Sequence, residues 1–132
     1  LSIEANSQIM ASSSLDNYVL VCDLTTDTLL HRLEGHHKPV NCMQIDIEQD
    51  LLVTAGVDGI VKLWSISTGE CLHTLQGHKD EICCMKQKGR WIVTGSHDKY
   101  VRVWRTSGES LHELYGHTGY INCVDFDFVE GE

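Results

Sequence analysis

Two sets of residues in this chain are of the types that nucleophilic catalysis uses. His36, Thr54, Asp58 and Trp64 recur as His78, Thr94, Asp98 and Trp104. A threonine hydroxyl attacks when an imidazole takes its proton, and a carboxylate can orient that imidazole, so each set holds a nucleophile, a base and an orienter. Six cysteines could be disulfide partners in a secreted chain, and eight histidines could be metal ligands. His112-Glu113-Leu114-Tyr115-Gly116-His117 narrowly misses the zinc-protease helix motif, with one residue too many between its imidazoles. Lys86, Lys88, Arg90, Lys99, Arg102 and Arg105 place six of the ten basic residues within twenty positions, where Asp98 is the only acid, so an anion site or a solvated rim is open there. No Gly-rich phosphate loop, nucleophile elbow or paired-carboxylate site is found elsewhere.

The whole chain limits these options. Its 132 residues suffice for one ordinary domain and argue against a two-domain enzyme. Apolar residues are 42% and charged residues 22%, with one proline, which is the composition of a globular chain. Nothing approaches the roughly 20 apolar residues of a membrane span, and no basic region precedes an apolar one near Leu1. A net charge of -9 repels phosphate backbones and anionic lipid, so neither nucleic acid nor membrane is an expected partner. The chain starts at Leu1, and Glu132 closely follows the strand-like run Ile121 to Phe126, which gives it the look of an excerpt.

The elements that must position the reactive residues come from a repeat. Gly-His occurs at Gly35-His36, Gly77-His78 and Gly116-His117, a period near 40. Before each stands a matching Leu-His pair, at Leu30-His31, Leu72-His73 and Leu111-His112. After each come Val40-Asn41-Cys42, Ile82-Cys83-Cys84 and Ile121-Asn122-Cys123. The segment Thr54 to Trp64 repeats at Thr94 to Trp104, and an earlier copy, Ser12 to Cys22, has cysteine in place of tryptophan. Each unit reads as short strands rich in Val, Ile, Leu, Thr and Trp, broken by Gly, Asp, Asn and Ser. Strands are predicted near 8–13, 18–23, 28–33, 40–46, 50–55, 60–66, 70–75, 81–87, 90–95, 100–105, 110–114 and 120–126. Tight turns are predicted at Val57-Asp58-Gly59 and His97-Asp98-Lys99.

A Gly-His followed by Asp after about 20 residues, then by Trp six residues later, resembles the WD-repeat β-propeller family. The Trp-Asp pair itself is missing: Trp64 precedes Ser65, Trp104 precedes Arg105, and Cys22-Asp23 keeps only the acid. The resemblance implies an all-β fold with blades of four antiparallel strands around a channel. About three blades are expected, near 1–34, 39–75 and 81–115, with 119–132 starting a further one. Such a ring needs more repeats of the same chain to close.

The resemblance also reinterprets the reactive residues. It implies that His36, Thr54, Asp58 and Trp64, and likewise His78, Thr94, Asp98 and Trp104, form buried chains running from indole to hydroxyl to imidazole to carboxylate. A catalytic relay repeated in every blade would serve no purpose, whereas a tie is needed in each. Cys42, Cys84 and Cys123 share one repeat column, as do His36, His78 and His117, so blades keep them apart. The cysteines are read as reduced core residues, and no metal, cofactor or enzymatic activity is expected.

The function implied is a scaffold that binds proteins or peptides, inside the cell in cytoplasm or nucleus. By the family's pattern, contact residues lie three and five positions after the Gly-His histidine and just before the turn aspartate. Those positions are Pro39, Glu81 and Tyr120, then Asn41, Cys83 and Asn122, then Leu15, Val57 and His97. Tyr120, an aromatic with a polar tip, is the foremost anchor among them. Gly69 to His78 also resembles repeats of F-box ubiquitin ligase substrate receptors, although no arginine stands at the nine positions. A third reading is the targeting propeller of a larger enzyme such as a kinase.

Overall fold

The computed structural model describes residues 2–5, 8–13, 18–36 and 38–115, all of them strand, turn or loop. Twelve strands run in chain order: β1 Ser2–Ala5, β2 Ile9–Ser13, β3 Val19–Asp23, β4 Thr28–Leu33, β5 Val40–Asp46, β6 Leu51–Gly56, β7 Ile60–Ser65, β8 Cys71–Gln76, β9 Ile82–Lys88, β10 Trp91–Ser96, β11 Tyr100–Arg105 and β12 Ser110–Tyr115. They form three four-stranded antiparallel sheets, β1 to β4, β5 to β8 and β9 to β12, each paired in sequence order. This is the blade architecture of a β-propeller. First strands pack on first strands, β1 on β5 and β5 on β9, so the blades stand face to face around one axis.

Strand β1 was not among the expected strands. Ser2-Ile3-Glu4-Ala5 has a single β-branched residue and no turn signal ahead of it, so its own propensity is weak. Pairing decides it instead, with Ser2 opposite Ser13 and Ala5 opposite Met10. The expected strand at 120–126 lies outside the described residues.

Burial follows from stacking. Strand β6 is buried at every position, unlike a strand with one wet face, because it is covered on both sides. Its Leu52 joins Ile9, Ala11, Val19, Val21, Leu33, Val40, Met43, Trp64 and Ile66 in the layer between the first and second sheets. Its Leu51, Val53 and Ala55 join Val61, Leu63, Leu75, Ile82, Met85, Ile92 and Trp104 in the layer between the second and third. Adjacent side chains on a strand point oppositely, so one strand supplies both layers. The last strands are mostly exposed: β8 buries only Leu75.

The same irregularity recurs in all three sheets. Pairing of the third strand with the fourth slips between Val21 and Cys22, between Leu63 and Trp64, and between Val103 and Trp104. A bulge turns the local side chain and tightens the twist. Here it falls where the tryptophan, or Cys22 in its place, enters the layer between blades.

Candidate functional site

The reactive residues of the second and third blades assemble into two matching chains. Trp64 donates its Nε1–H to Thr54 Oγ1 at 2.9 Å, and Thr54 Oγ1 lies 2.7 Å from His36 Nε2. His36 Nδ1 lies 2.9 Å from Asp58 Oδ2. In the third blade Trp104 donates to Thr94 at 3.0 Å, Thr94 meets His78 Nε2 at 2.7 Å, and His78 Nδ1 meets Asp98 Oδ2 at 2.9 Å. An indole can only donate, so the threonine oxygen accepts from it and has its own O–H for the imidazole. His78 Nε2 is then the acceptor and Nδ1–H the donor to the carboxylate. Every polar group in the chain is matched, which is the condition for burying it at low cost.

Four elements hold each chain. Thr94 and Trp104 project from neighbouring strands β10 and β11, where Ile92 stands opposite Trp104. His78 comes from the segment between β8 and β9, and Asp98 from the turn between β10 and β11. The Asp98 Oδ1 accepts the N–H of Tyr100 at 2.9 Å, closing an aspartate turn, and Oδ2 also accepts the N–H of Lys79 at 2.9 Å. Asp58 accepts the N–H of Ile60 at 3.1 Å in the corresponding turn. The glycine before the histidine lies close against its neighbours: a Cβ at Gly77 would lie 2.9 Å from Arg102 Nη1 and 3.1 Å from Trp104 Cη2.

The electrostatics favour a neutral imidazole on a charged carboxylate. Burial pushes the His78 pKa down, and the Asp98 hydrogen bond and charge recover only part of that. Burial raises the Asp98 carboxyl, but the N–H groups of Lys79 and Tyr100 and the imidazole outweigh it and hold the carboxyl below the usual range. Thr54 and Thr94 are fully buried, and Trp64 and Trp104 are 3% and 2% exposed. Both threonine hydroxyls are thus covered, each held between an indole and an imidazole.

The first blade lacks this chain. Cys22 stands opposite Met10 where the other blades set tryptophan opposite an aliphatic residue, so no indole is present to donate.

Of the nine contact positions, Leu15, Tyr120 and Asn122 lie outside the described residues. The other six are placed at one end of the blades. Glu81 Oε1 lies 2.8 Å from His97 Nδ1, and Asn41 Nδ2 donates to the Ile82 carbonyl at 3.1 Å and to Glu81 Oε2 at 3.4 Å. Asn41 belongs to the second blade and Glu81 and His97 to the third, so these three join across the blade boundary. Pro39 and Val57 meet through the backbone, Val57 N–H to Pro39 carbonyl at 3.0 Å. Cys83 is half-buried, with its Sγ 3.5 Å from the Gly95 carbonyl.

Sequence reasoning set the second histidine column aside, and the structure gives it a place. His31 Nε2 lies 2.7 Å from the Ile66 carbonyl of the next blade, and a Cβ at Gly69 would lie 2.7 Å from His31 Nδ1. His73 stands in the same relation to Gly108, with a Cβ there 2.8 Å from its Nδ1. The period-40 recurrence of both His and Gly was the available signal. Cys22, Cys42, Cys71, Cys83 and Cys84 are free thiols. The thiol of Cys42 is pushed up to about 12 by burial, with a contribution from Cys83.

The comparisons with known proteins agree with this architecture. The ribosome biogenesis protein WDR12 homolog of Drosophila persimilis is 37% identical over 41 residues, covering 31% of this chain and 10% of that protein. Its counterpart in Drosophila willistoni is 35% identical over 47 residues, covering 36% of this chain and 11% of that one. The matches thus span about a tenth of those relatives. The crystal structure of the computationally designed protein Ika8 superposes with a TM-score of 0.89 at 28% identity, over 96% of this chain and 39% of that one. The designed Ika4 gives 0.88 at 28% identity, over 96% and 78%. The family model "WD domain, G-beta repeat" matches residues 27–65, 69–105 and 108–129, and the chain belongs to the WD40 repeat family.

Proposed function

We propose that this chain is part of a non-catalytic interaction platform, a rigid propeller whose blade ends hold partner proteins or peptides. The observation that supports this most is the joining of Asn41, Glu81 and His97 across a blade boundary. It makes one polar surface from two blades, at the end where Pro39 and Val57 also lie. The two buried chains serve stability in this reading, tying the loop of each Gly-His to the aspartate turn of its own blade. Burial of both threonines is consistent with the absence of chemistry.

The relatives named for ribosome biogenesis are consistent with a part in assembling a larger complex. A net charge of -9 favours protein over RNA as the direct contact. The five free thiols among the described residues fit a reducing compartment, and we place the protein inside the cell, in cytoplasm or nucleus. No observation favours the ubiquitin ligase or kinase readings over this one.

The test is quantitative affinity capture with the full-length protein carrying Glu81→Lys or Asn41→Ala. A subset of partners should be lost while the melting temperature stays within a few degrees. Unchanged partner sets for both variants would overturn the assignment of this face.

A further inference from the structure

The cations crowded between Lys86 and Arg105 do not form one patch. Arg102 is committed to Glu113, 3.1 Å away, and Lys99 sits in the turn between β10 and β11 at the partner-binding end. Arg90 and Arg105 converge at the opposite end of the third blade. With Thr106 and Ser107 they line an open cleft of about 340 Å³.

This cleft has fixed walls. The Thr106 N–H donates to the Arg90 carbonyl at 2.9 Å, and the Gly108 N–H to the Arg105 carbonyl at 2.9 Å. The Arg105 guanidinium lies 5.2 Å from the centre of the Trp91 ring, which holds it by a cation–π contact. Among the described residues, neither Arg90 nor Arg105 forms an ion pair. Two arginines without an ion-pair partner thus line one recess in a chain of net charge -9. An anion in the recess is attracted by both charges.

The lining suits one anion better than others. A phosphomonoester carries close to two charges and three acceptor oxygens, enough for two guanidinium forks and a hydroxyl donor. A single carboxylate brings one charge and two oxygens. A nucleic-acid backbone would run on to the neighbouring blade's turn, which carries Asp46, Glu48 and Asp50 and touches this one through Gln49 bonded to the Gly89 carbonyl. Those carboxylates repel a polyanion that continues along the rim, and a single phosphate held at Arg90 and Arg105 does not have to cross them.

We propose that Arg90, Arg105, Thr106 and Ser107 form a binding site for a phosphomonoester carried as phosphoserine or phosphothreonine on a partner polypeptide. It lies at the other end of the blades from Asn41, Glu81 and His97, because turns alternate ends along an antiparallel sheet. The two surfaces can therefore fail separately.

The test follows arginine side-chain N–H signals of the full-length protein by NMR while N-acetyl-phosphoserine amide is added. Its unphosphorylated form, inorganic phosphate and an oligouridine serve as the other probes. The phosphoserine amide should shift Arg90 and Arg105 signals saturably, with no response to the unphosphorylated form. Arg90→Gln and Arg105→Gln should each weaken binding about tenfold or more, and Glu81→Lys should leave it unchanged. Should a glutamine variant lose its fold by circular dichroism, Ser107→Ala is to weaken binding in its place. No saturable shift, a response that survives removal of both arginines, or exclusion of the phosphoserine amide while free phosphate binds would each overturn the proposal. Tighter binding of oligouridine with a steep salt dependence would overturn it in favour of a nucleic-acid surface.

Discussion

His78 Nδ1 lies 2.9 Å from Asp98 Oδ2, and the pair closes a buried chain that begins at the Trp104 indole. The aspartate does double duty, since it also accepts the backbone N–H groups of Lys79 and Tyr100. Asp98→Ala removes the acceptor of all three donors, the His78 imidazole being the most deeply buried of them, and is expected to cost roughly 2 to 4 kcal/mol. Asp58→Ala is expected to cost a similar amount in the second blade. Chemical denaturation of the full-length protein measures both, and negligible losses would remove the chain from the account of stability.

The same pair sets a dependence on pH. His78 titrates below its ordinary 6.5 in the fold, so its contribution is complete above 6.5 and is lost as pH falls through that value toward the folded pKa. Asp98 titrates below its ordinary 3.8, so its contribution is present above 3.8 and is lost as pH falls further. Both slopes have the same sign. The urea midpoint should fall on acidification in two stages, and Asp98→Asn should flatten the lower one. A midpoint that stays level from neutral pH to below 3.8 would contradict these shifts.

Gly59 and Lys99 occupy equivalent turn positions, with φ of +74° and +72°. Glycine adopts that region freely and lysine does not. Lys99→Gly is expected to raise stability by roughly 1 kcal/mol, the relief of strain exceeding the added freedom of the unfolded chain. Gly59→Ala is expected to lower it by roughly 2 kcal/mol or more, because the new Cβ would also stand 2.9 Å from the carbonyl oxygens of His78 and Asp80. Denaturation midpoints of opposite sign for the two variants are the check.

Cys42 and Cys71 should differ sharply as nucleophiles. With its thiol pushed up to about 12, only roughly one Cys42 in ten thousand is a thiolate at mildly alkaline pH, and the side chain is half-buried. Cys71 is exposed on a last strand. Alkylation followed by mass spectrometry should label Cys71 well before Cys42, and the reverse order would show that the layer between blades opens readily. Because the half-buried Cys42 favours the neutral form, its contribution to stability is complete below pH 9 and is lost as pH rises from 9 toward 12.

Much of this protein was determined by the sequence itself. The period near 40 sets the number of blades, since each unit carries its own turns at Asp58 and Asp98 and its own alternating strands, all of them local signals. It also marks His36, Thr54, Asp58 and Trp64 as one set, because residues that recur together at fixed spacing answer one repeated constraint. Tertiary structure alone decided the rest. Strand β1 exists because Ile9–Ser13 pairs with it, and β6 is buried on both faces because sheets stack on either side of it. The meeting of Asn41 with Glu81 and that of His31 with Gly69 are contacts between blades, set by how one sheet is rotated on the next. The Lys86 to Arg105 cluster makes the point most plainly. Six cations within twenty positions are divided by strand alternation and turn geometry: Lys99 lies in the turn at one end of the blade, while Arg90 and Arg105 line a cleft at the other.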